Sequence, residues 1–172
     1  LDHAIGVDFD IFKPMKKSIA KEKLNIDKNK MVISNVGPIT RTKGADLAIE
    51  SFIKLRKEFD LELILVCAHT RNYDKDLKLL AEKHGAKIFS TIPNNEMPKI
   101  YNASNVNING SFSDAWLKFA GFGSANTEAV ACNTPVVNSS LRDFTGNDWK
   151  FEFDRTRSRL IELTNSSRQN EN

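Results

Sequence analysis

The chain is poor in cysteine, histidine, long apolar runs and common nucleotide-binding motifs, and each shortage narrows what it can be. Cys67 and Cys132, its 2 cysteines, each lie in an apolar stretch. They read as small core hydrophobes in a reducing compartment, not as a disulfide or a metal pair. The 3 histidines, His3, His69 and His84, are neither clustered nor at ligand spacing, so no metal is assigned. No run reaches the roughly 20 apolar residues of a membrane span, and no secretory signal is read at the start. The 25 Lys and Arg exceed the 22 Asp and Glu by only 3, evenly spread, so no nucleic-acid partner is expected. Asn-x-Ser triplets at 102, 138 and 165 match glycan acceptors formally, but are coincidental in a chain this rich in Asn.

What is present suffices for one core. Apolar residues make up 40% of 172 positions, which fits a single domain. Met31–Gly37 (MVISNVG) reads as a buried strand stopped by Gly-Pro, and Leu61–Cys67 as another. Between them, Leu47, Ala48, Phe52, Leu55 and Phe59 recur at helical spacing over Gly44–Phe59. Tyr73–His84 reads as a helix closed by Gly85. Ala86–Phe89 is a short strand, Asn95–Ala103 a short helix and Asn105–Asn109 a strand. Ser124–Cys132 is a helix, Pro135–Asn138 a strand, Trp149–Phe153 a further strand and Thr156–Leu163 a helix. Phe112–Phe119 interrupts the rhythm as an inserted loop or short helix. Alternating strands and helices with short links predict an α/β fold, a doubly wound, mostly parallel sheet covered on both faces. Such sheets bind ligands beyond the carboxyl ends of their strands.

The phrase after the first strand, Gly37-Pro-Ile-Thr-Arg-Thr-Lys-Gly44, lacks both G-x-G-x-x-G and G-x-x-x-x-G-K-[ST]. A dinucleotide site and a P-loop are therefore disfavoured. Lys43 instead stands at the mouth of a helix, where free amides and the helix dipole favour an anion. An ordinary exposed turn lysine would read the same from this loop alone. A second phrase, Ala120 to Val137, opens a helix with Gly-Phe-Gly and carries Glu128 inside it. Its glycines let backbone approach a ligand, its first amides suit a phosphate, and Glu128 can accept two hydroxyls, as a ribose diol requires. Glu128 is flanked by Ala, Val and Ala, so it points somewhere largely apolar and needs a partner.

Together these phrases resemble the C-terminal domain of GT-B-fold retaining glycosyltransferases, the group of glycogen and sucrose synthases and many mannosyl- and glucosyltransferases. Ile5-Gly-Val-Asp8 with Phe12 and Pro14, Val36-Gly37 through Lys43-Gly44, Ile100 to Val106, and Ala120 to Val137 match that family's phrases in order. The resemblance implies a Rossmann-like half of a GT-B fold over 1–163. Residues 1–30 would lead in from an N-terminal domain that carries the acceptor site, and 164–172 would be a frayed polar tail. It implies a hexosyltransferase that moves a hexose from a nucleoside diphosphate sugar to an acceptor hydroxyl with retention, without metal or other cofactor. Lys43 and Glu128 take the catalytic roles. The donor is held by Gly37, Arg41, Lys43, Ile92, Phe122, Gly123, Ser124 and Glu128, with Ile92 in the loop that meets the base. A cytoplasmic location, free or at the inner face of the membrane, follows from the same resemblance, and a fragment of this kind is expected to be inactive alone.

The chain also departs from the pattern. Pro38 stands where the family has arginine, and Ala120 where it has the first glutamate of its signature. By analogy with a lost oxyanion donor, the missing arginine costs about 3 kcal/mol at the transition state. Arg41 and Asp114 are candidate replacements. Asn133 replaces a usual glycine, Ile5 stands in place of Asn, and the Gly-Gly loop after Pro-Val-Val is absent. Two further readings stay open: a degenerate domain that binds a nucleotide sugar or a protein, and a GT-B-type epimerase.

Overall fold

The architecture follows from two strands that are apolar on both sides. In β1 (Met31–Val36) and β2 (Leu61–Val66), alternate residues feed opposite layers. Ile33, Leu63 and Leu65 enter one core, while Val32, Ile64 and Val66 enter the other. With β3 (Lys87–Phe89), β4 (Val106–Asn109) and β5 (Val136–Asn138) they form a sheet in the order β3-β2-β1-β4-β5, all parallel. The structure is a computed structural model that describes residues 6–67, 73–110, 123–138, 154–162 and 165. The expected strand at 149–153, the insertion at 112–119 and almost all of the tail lie outside those residues.

Helices α1 (Lys17–Lys23), α4 (Met97–Ala103) and α5 (Ser124–Ala131) cover one face of the sheet. The other face carries α2 (Ala45–Leu55), α3 (Lys75–Lys83) and α6, spanning 154–162, through residues such as Phe52, Leu77 and Leu160. The chain leaves β1 and β2 on the α2–α3 side and leaves β3 and β4 on the α4–α5 side. β1 and β4 are neighbours, so their connections diverge and open a crevice at their carboxyl ends. This is the switch point where such folds take ligands.

Among the described residues the expected helices and strands are present, with differences at helix ends: α4, for one, begins at Met97 rather than Asn95, after a 3-10 turn over Asn94–Glu96. α2 stops at Leu55, four residues before the periodic pattern ends, and Phe59 instead closes a turn through its amide on the Leu55 carbonyl at 3.0 Å. α3 starts at Lys75 rather than Tyr73, and Gly85 (φ 80°) follows its end. Helix α1 was not anticipated. It buries Ala20 and is fastened to α4: the Lys17 ammonium donates to the carbonyls of Asn102 and Ser104. Burial first, then the neighbouring Lys21, pushes the Lys17 pKa down to about 8. The Asn102 side chain accepts from the Met15 amide at 2.7 Å and donates to the Lys13 and Pro98 carbonyls, so this buried Asn is not open to a glycan. Cys67 and Cys132 are both buried, and neither is in a disulfide.

Candidate functional site

The switch point is walled on one side by the loop after β1, whose backbone presses on the end of β4, and on the other by α5. After β1 the chain turns at Gly37 (φ 143°), passes Pro38 and makes a 3-10 turn, Arg41–Lys43. Gly44 (φ 71°) ends that turn and starts α2. A Cβ on Gly44 would lie 2.4 Å from the Cα of Gly110, just beyond β4. Only glycine permits both the left-handed φ and this approach. The contact fixes how far Lys43, one residue earlier, stands from the end of β4.

The opposite wall is α5. Its N-cap is Gly123 (φ −56°, ψ 161°), and no side chain caps it. The first amides of a helix lack partners within it, and here they begin at the cleft. Asn126 anchors the helix: its Oδ1 accepts from Asn109 Nδ2 at 2.9 Å, a buried bond between α5 and β4. One turn beyond Ser124, half-buried Glu128 accepts at Oε2 from the hydroxyl of Tyr101 at 2.7 Å. Burial raises the Glu128 carboxyl above the usual range, and the Tyr101 hydrogen bond opposes that shift. Tyr101 is itself raised by burial, and next by the Glu128 charge.

The two walls enclose a cleft of about 390 Å³. Gly37, Lys43, Ile92, Gly123, Ser124 and Glu128 all line it. Arg41 is exposed on the same 3-10 turn, its amide bonded to Asp74 Oδ2 at 3.1 Å, and it lies outside the cleft lining. Phe122, Ala120 and Asp114 lie outside the described residues. Asn94, Met97 and Asn109 also line the cleft and were not singled out from the sequence. Asn109 was readable in principle, as the last residue of a strand written NVNIN. The cleft is thus lined by a lysine on one wall and a helix N-terminus on the other, with a carboxylate one turn into that helix. Such a surface suits an anion joined to a group bearing hydroxyls. Among the described residues no three His, Cys, Asp or Glu side chains come together as a metal site.

The family Glycosyl transferases group 1 matches residues 16–145, which include both walls of this cleft. The chain belongs to that family. A D-inositol 3-phosphate glycosyltransferase of Segniliparus rotundus is 28% identical over 143 residues, covering 79% of this chain and 30% of the relative. The chain therefore spans about a third of the length of that relative. The crystallised C-terminal domain of a glycosyl transferase group 1 family protein (LpcC) from Francisella tularensis superposes with a TM-score of 0.63 at 26% identity. That match covers 82% of this chain and 74% of the domain. HepE of Anabaena, solved in complex with UDP and glucose, gives a TM-score of 0.60 at 21% identity, over 77% of this chain and 36% of that one.

As a group 1 glycosyl transferase domain, the chain has the five-stranded parallel core and the GT-B-type Rossmann-like arrangement of these structures. No described helix is long and apolar enough to cross a membrane. Of its departures from the family pattern, Pro38 and Asn133 lie among the described residues. Pro38 lines the cleft and brings no charge to it. Asn133 adopts φ 57°, the left-handed conformation for which a glycine is the easier residue, just after α5.

Proposed function

We propose that the chain is the donor-binding portion of a glycosyltransferase that transfers a hexose from a nucleoside diphosphate sugar to an acceptor hydroxyl with retention. The observation that carries this reading is the shared cleft: Lys43, the uncapped N-terminus of α5 and Glu128 line one cavity at the β1/β4 switch point. The diphosphate would lie between Lys43 and the amides from Ser124 onward, close to Gly37. The pentose would hang its hydroxyls on Glu128, and the base would meet the loop around Ile92. As the bond from the sugar to the diphosphate breaks, charge grows on the phosphate oxygens, where a fixed cation and oriented amides stabilise it best. The acceptor site would belong to an N-terminal domain of a longer protein, leaving this portion to bind donor without transferring it. The solved relative that holds UDP and glucose supports the choice of ligand.

The test is calorimetric titration of the chain with UDP, GDP and ADP. At least one binds, and Lys43→Ala and Glu128→Ala each weaken it. If neither substitution changes affinity, the assignment is wrong. Pro38 in the cleft favours one second reading, a domain that holds a nucleotide sugar without transferring it. A longer protein that binds donor yet neither transfers nor hydrolyses the sugar would establish that reading.

A further inference from the structure

Glu128 has three rotatable bonds, yet its carboxylate is not left to find its own place. Tyr101 is fully buried and is held at three points. Its ring packs against Phe12 with centroids 6.2 Å apart and planes at 55°. Its carbonyl accepts from Thr134 Oγ1 at 2.7 Å, beyond the end of α5. Its hydroxyl donates to Glu128 Oε2 at 2.7 Å. The hydroxyl is therefore a fixed post behind Glu128, which itself lines the cleft, and it is held by α4 and by the segment leading into α1. We propose that Tyr101 is a positioning residue for the donor site: by holding Oε2 it aims the remaining lone pairs of Glu128 at the two hydroxyls of the pentose.

The proposal rests on the reading of Glu128 as the pentose ligand. A carboxylate offers about four lone-pair sites, so one bond from Tyr101 leaves enough for a diol. The bond also favours the ionised form, the stronger acceptor for both hydroxyls, against the burial that opposes it. The other titratable groups near this carboxylate are few among the described residues. Cys132 lies one turn along α5, its thiol pushed up to about 11 by burial and so neutral near pH 7. Lys43 lines the same cleft. Loss of the Tyr101 hydroxyl removes the opposing contribution, so on acidification the carboxyl takes up its proton, and ligand binding is lost, at a higher pH than in the unsubstituted chain.

The experiment titrates the chain, Tyr101→Phe and Glu128→Gln with UDP, GDP and ADP and with their 2′,3′-dideoxy analogues, from pH 5 to 8. The proposal expects Tyr101→Phe to reduce the preference for ribose over dideoxyribose about tenfold, and to move the acid limb of binding to higher pH. A Tyr101→Phe chain that melts at lower temperature but keeps both the preference and the acid limb, while Glu128→Gln loses the preference, overturns the positioning role alone. If Glu128→Gln also keeps the preference, the donor-site reading falls and the proposal with it. The unsubstituted chain gives a second readout. The Tyr101 hydroxyl proton should shift in NMR spectra on adding the nucleoside diphosphate and not its dideoxy analogue. Equal shifts with both ligands, or none, contradict the proposal.

Discussion

The two walls of the cleft are built on opposite principles. On the α5 wall the functional group is half-buried and bonded: Glu128 meets Tyr101, and Asn126 ties the helix to Asn109. On the β1 wall Lys43 is exposed, and what is fixed is the backbone beneath it, pressed through Gly44 onto Gly110. An acid that reads neutral hydroxyls needs direction, which a network of hydrogen bonds supplies. A cation that neutralises an anion acts over distance, and placing its backbone is enough. The division also suits the physical chemistry of each group. A buried carboxylate without a partner is costly, whereas a solvated ammonium is not.

The strongest way to break this contrast is at Gly44. A methyl group there meets the Gly110 backbone at 2.4 Å and demands a left-handed φ of 71°. Gly44→Ala should therefore destabilise the chain by about 3 kcal/mol and abolish nucleotide binding, as read by thermal melting and titration. Next in size, Glu128→Gln should weaken nucleoside diphosphate binding about a hundredfold, since hydrogen bonds to a charged group are lost at two hydroxyls. Lys43→Ala should cost about tenfold at low salt, and that cost should shrink toward nothing as ionic strength rises to about 1 M. The Glu128→Gln defect should persist at the same salt. Equal salt sensitivity of the two variants would erase the distinction between the walls. Last, Arg41→Ala should change affinity less than Lys43→Ala does, because Arg41 stands outside the cleft lining.

The pH dependence sharpens the comparison from one side. Burial raises the Glu128 carboxyl, so it takes up its proton at a higher pH than an exposed glutamate does. The ionised form accepts from the hydroxyls of a diol most strongly. Affinity should therefore fall as pH drops through that raised value, and Glu128→Gln should lack this limb.

Much of the frame was legible because it is local. β1 and β2 announce themselves as unbroken apolar runs between turn residues, and α2 by the recurrence of Leu47, Ala48, Phe52 and Leu55. From their order, a doubly wound sheet and a ligand at its carboxyl edge follow. The apolar neighbours of Glu128 showed that it needs a partner. That the partner is Tyr101, 27 residues earlier, depends on how α4 and α5 pack on the same face, which no spacing encodes. The same holds for Asn109 with Asn126, and for the approach of Gly44 to Gly110. Helix α1 escaped notice for a different reason. It is 7 residues long and rich in lysine, and it is held by Lys17 and Asn102 against α4 more than by an apolar stripe of its own.

The most direct test of the central claim is a crystal structure of this chain with a bound nucleoside diphosphate. The account predicts the diphosphate beside Lys43 and the first amides of α5, with the pentose hydroxyls on Glu128 and the Tyr101 bond intact. A nucleotide seated away from the β1/β4 switch point, or one whose phosphates contact neither Lys43 nor α5, would contradict it.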